Sequence, residues 1–244
     1  MAHQSDKPLA DGSEISRGLW VVLPLALTVF IWGAFFSMNR GTFKYWFERE
    51  LGFIELATPI ILVVAIVYGV RAFLLREYLP VGWLKIWLAL VTAACIYFAG
   101  EEISWGQQFF GWQSPEIMQE INDQQETNIH NVSSWFDQKP RLLLELWIII
   151  GGIFVAVLRK WKPGIFKTDS WPYWFWPGFA CFPAALLAEL VKLPERIKDS
   201  FDIASLPTDL RYSEFQELLF AVFLLCYLAS NMKRLSSIQS SAGK

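Results

Sequence analysis

Apolar and polar residues fall along this chain in long blocks, not in the short periods of a soluble amphipathic helix or a half-buried strand. Residues 18–37 are almost wholly apolar, and at ~1.5 Å per residue such a helix crosses the ~30 Å hydrocarbon core of a bilayer. No small-residue cleavage site follows, so the run reads as a spanning helix and not as a removed signal peptide. Further apolar runs at 52–75, 82–99, 141–158, 171–191 and 212–230 predict five more spans. The expected fold class is therefore all-α: a polytopic membrane bundle of about six transmembrane helices. It forms a single domain over 18–230, with polar tails at 1–17 and 231–244.

The polar blocks predict structure of their own. Residues 38–51 mix Arg40, Lys44, Glu48, Arg49 and Glu50 with aromatics, the pattern of an amphipathic connection lying at the interface. The second run holds Glu55 near its start and Pro59 one turn later, where a helix can free a backbone carbonyl. Segment 100–140 is too long for a structureless loop and predicts a folded polar cap between the third and fourth helices. Ser114-Pro115-Glu116 would start a helix within it. No internal repeat aligns, which removes direct support for an inverted-repeat transporter.

Composition agrees with the pattern. Hydrophobic residues make up 54% of the 244 positions and charged residues 18%, proportions of a membrane bundle and not of a soluble domain. A formal net charge of -2, with no basic run interleaved with aromatics, sets nucleic acid aside as a partner. Cys95, Cys181 and Cys226 lie inside apolar runs without metal-binding spacing. Many of the 13 tryptophans lie near the ends of apolar runs, as an interfacial aromatic belt requires. Six spans put both termini on one side, together with the basic turn Arg159, Lys160, Lys162 and Lys167, so that side is expected to be cytoplasmic.

On this topology the acids converge. Glu55 begins the second span, Glu101 and Glu102 end the third, Glu189 lies late in the fifth, and Glu214 and Glu217 open the sixth, all toward the face opposite the termini. A carboxylate within a span costs roughly 2.5–3.5 kcal/mol at mid-bilayer and less near the interface, so such groups are expected to face the bundle interior and find partners. Glu214 and Glu217 share a helix face with Arg211, whereas Glu101 and Glu102 diverge by ~100°, so one of that pair is expected to face a cavity. The same face carries Glu126-Thr127-Asn128-Ile129-His130-Asn131, and its histidine is the one such residue outside the polar N-terminal tail.

Carboxylates with one imidazole suit a divalent metal, zinc or manganese first, with Glu102, His130, Glu189 and Glu217 as candidate ligands. Glu101 or Glu126 would then be a general base, while Gln107, Asn128, Asn131 and Arg211 would orient substrate or stabilise negative charge. The expected activity is a metal-dependent hydrolase or transferase acting on a lipid or lipid-linked substrate. The competing expectations are a cation- or proton-coupled transporter and a non-catalytic scaffold subunit.

Gly100-Glu-Glu-Ile-Ser-Trp-Gly-Gln with Glu126-Thr-Asn-Ile-His-Asn resembles the signature of a group of bacterial polytopic membrane proteins without an established activity. The resemblance implies a bacterial inner-membrane protein. A fainter likeness is to membrane hydrolases that include the alkaline ceramidases, which bind zinc through several histidines, two of them on a late helix. Here the late helix offers Glu214 and Glu217 and no histidine, which excludes a three-histidine site.

Overall fold

A computed structural model describes residues 14–49, 51–114, 134–206, 208 and 210–242, with the side chains of 108 and 134–138 outside the description. All regular structure among the described residues is helical, and six segments are long and apolar enough to cross a membrane. This is the architecture of a multi-pass membrane protein. The first span is α1 (Gly18–Ser37). Two short helical turns follow, Arg40–Phe43 and Lys44–Glu48, the first started by the Asn39 side chain accepting from the Thr42 amide at 2.9 Å. They lead to α2 (Phe53–Leu74), α3 (Trp83–Glu102) and α4 (Lys139–Trp161). After the short helix Trp171–Phe175 come α5 (Phe182–Ser200) and α6 (Tyr212–Ala242).

The last helix is the axis of the bundle. Its sequence is apolar on all sides from Leu218 to Ala229, and a helix without a polar face has to be enclosed. Every residue from Leu218 to Ser230 is accordingly buried. Helices α2 and α5 pack directly on α6, α3 packs on α2, and α4 and α1 pack on α5. The outward faces of the surrounding helices carry exposed Val29, Ile60, Ile86 and Phe154, as a lipid-facing surface should. Close approach between α4 and the α5–α6 pair depends on Gly152, where a Cβ would lie 2.6 Å from the Phe223 ring and 2.8 Å from Ala185 Cβ.

Both late helices extend beyond their apolar runs. Helix α5 continues past Val191 to Ser200, and α6 past Ser230 to Ala242. Polar residues on these extensions pair inside the protein. Arg234, buried on α6, binds the Glu14 carboxylate and donates to the Tyr173 carbonyl at 3.2 Å. Buried Arg159 donates to the same carbonyl at 3.1 Å and to that of Trp176 at 2.9 Å. These arginines tie α4, α6 and the chain before α1 together at one end of the bundle, while the acids singled out by sequence lie toward the other.

Candidate functional site: a cleft between two helices

Because α3 leans on α2 and α4 leans on α5, the two do not pack closely on each other. A cleft of about 450 Å³ opens between them, with α6 as its floor. Its walls are Trp87, Leu90, Val91, Ala94, Tyr97 and Phe98 from α3 and Leu143, Leu144 and Trp147 from α4, over Phe220 and Leu224. Leu90 and Leu143 are also among the exposed apolar residues, so the cleft faces outward toward the surrounding lipid. Polar groups gather at one end only: Glu101, Glu102, Arg141 and Glu217.

The other end is closed by aromatics. The Trp87 indole N–H donates to the Tyr227 hydroxyl at 2.8 Å, and that hydroxyl donates to the Trp174 carbonyl at 2.8 Å. The Trp147 ring stands edge-on to Tyr227 with centroids 4.9 Å apart and to Trp87 at 5.4 Å. The cleft is therefore amphipathic along its length, acidic at the mouth and aromatic at the base.

The Gly100-to-Gln108 motif builds the acidic mouth. Helix α3 ends at Glu102, and the chain reverses through Ser104, Trp105 and Gly106 with φ values of 46°, 54° and 95°. Two non-glycine residues held in the left-handed region mark a strained turn. The turn folds Trp105 back over α3. Its ring covers Gly100, where a Cβ would approach to 2.8 Å, and its indole N–H donates to Glu101 Oε1 at 2.7 Å. Glu101 is thereby fixed against its own helix end.

Glu102, its neighbour, is different. It faces Glu217, Glu55 and Glu214 at electrostatic range, with Arg141 as the opposing charge. Among the described residues it forms no hydrogen bond or ion pair. Arg141 is instead directed to α6, donating to Glu217 Oε1 at 2.6 Å, Gln216 Oε1 at 3.0 Å and the Ser213 carbonyl at 3.4 Å.

The remaining acids of the set are held by other arginines. Glu189 accepts from Arg196 at 2.6 Å, and Arg196 also binds Glu145 of α4. Arg211 pairs with Glu214 and lies 3.5 Å from Glu55, and it donates to the Glu48 carbonyl at 3.0 Å. Arg40 closes the group on Glu48 at 2.7 Å. This polar layer joins the short turns after α1 with α2, α4, α5 and α6 at one end of the bundle.

The residues singled out by sequence therefore divide. Glu101, Glu102 and Glu217 meet at the cleft, and both members of the adjacent pair line it, where one was expected. The backbone reversal after Glu102 folds Trp105 onto Glu101 and holds that carboxylate at the cleft beside its neighbour, which helical spacing alone does not anticipate. Glu189 and Arg211 lie at the same end of the bundle but outside the cleft lining. Gln107 accepts from the Ser114 hydroxyl at 3.2 Å and is also outside it. Glu126, Asn128, His130 and Asn131 lie outside the described residues, as does most of the expected cap. Among the described residues no three His, Cys, Asp or Glu side chains form a group able to hold a metal ion.

Sequence reasoning did not bring Arg141, Gln216, Glu145 or Arg196 into the site. A cation at the start of an apolar run was the available signal for Arg141. The class so defined is a six-span helical membrane protein with an amphipathic, laterally facing cleft. Comparisons with family models, curated proteins and solved structures give no match.

Proposed function

We propose that this protein is a membrane hydrolase or group transferase that acts on a lipid or lipid-linked substrate entering the α3–α4 cleft from the bilayer. The observation that carries this reading is the cleft itself, with apolar walls, an aromatic base and an acidic mouth where Glu102 forms no hydrogen bond or ion pair among the described residues. Pockets of this size and polarity accommodate small molecules, and an ionisable group at membrane depth defaults to function.

In this reading the substrate chain lies along Leu90, Ala94 and Phe98, which brings its scissile ester, amide or phosphoester to Glu102. Glu102 takes a proton from water, or from an acceptor hydroxyl, as that oxygen bonds to the carbonyl carbon or phosphorus. It then returns the proton to the departing oxygen or nitrogen as the original bond breaks. Arg141, bonded to Glu217 and Gln216, is a positioning residue that holds α4 to the floor of the cleft. Glu101, Gln107, Glu189 and Arg211 are positioning residues. Glu126, Asn128, His130 and Asn131 remain the further candidates that the sequence offers for base and for substrate orientation.

The donors at the described positions do not by themselves fit a divalent metal, because arginines already hold Glu189 and Glu217. A zinc or manganese ion would need His130 and Glu126 beside Glu102, and no step above depends on it. Transport is less well supported, since the Trp87–Tyr227–Trp147 group closes the inner end of the cleft. The protein is proposed to sit in the bacterial inner membrane with cytoplasmic termini, a placement supported by the basic turn after α4.

The test is product formation by the purified protein in nanodiscs containing total bacterial lipid, read by mass spectrometry for wild type and Glu102→Gln. Loss of a general base lowers turnover by ~10²–10⁴-fold. Products equal in both samples, or none in either, overturn the proposal.

A further inference from the structure

Charge at the mouth of the cleft goes beyond the lipid reading and specifies the head of the ligand. The polar end holds Glu101, Glu102 and Glu217 against Arg141, three acids to one base. Arg141 is engaged by Glu217 and Gln216, so the cation in the lining is not aimed at an incoming anion.

We infer that the cleft takes a single-chain amphiphile with a cationic, amine-bearing head, the ammonium supplying the direct ion-pair contact that Glu102 does not make among the described residues. This deepens the proposed lipid-acting function and rests on it for the identity of the cleft as a substrate site. Length supports a single chain. From Trp87 to Glu102 the lining of α3 runs ~22 Å along the helix axis, more than half of a ~30 Å hydrocarbon core. An acyl or alkyl chain fits between the aromatic base and the acidic mouth. A phosphate head would instead meet a net negative mouth with its one arginine already bonded, and like charges in a low-dielectric site repel strongly.

The experiment compares hexadecylamine, hexadecanol and hexadecyl phosphate, each with a bromine at the chain end, added to the full-length protein in phosphatidylcholine nanodiscs. Bromine quenches nearby tryptophan, and Trp87 and Trp147 line the base of the cleft. Ala94→Phe, which fills the cleft from its wall, defines the quenching that belongs to the cleft. The amine is expected to bind about tenfold or more tighter than the phosphate. Glu102→Gln is expected to remove that preference while leaving the alcohol within about twofold.

Phosphate binding as tightly as amine, or a preference unchanged in Glu102→Gln, overturns the head assignment while leaving a lipid cleft in place. Quenching insensitive to Ala94→Phe overturns both readings. Amine binding as expected, without a Glu102-dependent product in the turnover assay, overturns the enzymatic reading and leaves this one standing.

Discussion

Arg141 is the side chain on which the geometry of the site turns, and replacing it gives the sharpest test. Arg141→Met keeps the length and apolar stem but removes three donated bonds, at 2.6 Å to Glu217, 3.0 Å to Gln216 and 3.4 Å to the Ser213 carbonyl. Breaking a fully buried pair by removing one partner costs ~3–5 kcal/mol, mainly because the other charge stays behind. The two side chains here keep 24% and 20% of their exposure, so water relieves part of that penalty. A cost of about 2–3 kcal/mol follows, in line with the ~1.5–3 kcal/mol of single bonds to charged groups. At ~2–4 °C per kcal/mol for a domain of this length, the melting temperature falls by about 4–12 °C.

A thiol-reactive fluorogenic dye measures this directly, because Cys95, Cys181 and Cys226 are free and buried and become reactive only on unfolding. The double variant Arg141→Met, Glu217→Leu should cost at least about 1 kcal/mol less than the sum of the two single losses, on the order of the ~0.5–3 kcal/mol found for contacting residues. A melting temperature unchanged in Arg141→Met, or strict additivity in the double variant, refutes the claim that this pair joins α4 to the central helix.

The other predictions concern separate features. Glu14→Ala leaves the buried Arg234 without its carboxylate, the two side chains being 1% and 3% exposed, and should cost ~3–5 kcal/mol in the same dye assay, with a near-neutral result counting against this junction. Trp105→Phe keeps the ring over Gly100 but deletes the 2.7 Å donor to Glu101, and should lower stability by ~1–3 kcal/mol. Stability equal to wild type would show the bond to be dispensable. Elemental analysis of the detergent-purified protein against a Glu102→Ala, His130→Ala double variant tests the zinc or manganese expectation: a near-stoichiometric metal in the wild type that the variant loses would establish an ion held by these two residues, and a metal-free wild type refutes it.

Length and hydropathy made the six spans legible, because a bilayer imposes both on any helix that crosses it. The convergence of Glu55, Glu101, Glu102, Glu189, Glu214 and Glu217 toward one end followed from counting crossings. Neighbours within the bundle were not legible. Helix α6 declares its central place by being apolar all round, but nothing in the runs at 82–99 and 141–158 says that they stand apart and leave a cleft. Arg141 and Glu217 are 76 positions apart in sequence, Arg196 and Glu145 51. Such partners become visible only when the helices are placed.

The same reason explains why the acids could be grouped by sequence but not sorted. Four arginines from four parts of the chain, Arg40, Arg141, Arg196 and Arg211, each reach a carboxylate carried by a different helical segment. Those pairs take Glu55 and Glu217 of the acidic set as joints between segments, while Glu189 and Glu214 are held by Arg196 and Arg211 from within their own segments. Glu101 is taken by the indole of Trp105, which reaches it because the chain turns back through three residues of positive φ. Glu102 has the same side chain one position later and meets neither kind of partner among the described residues. Its difference from Glu101 arises from the direction of the chain after α3, which folds the Trp105 indole onto one carboxylate and leaves its neighbour at the mouth of the cleft.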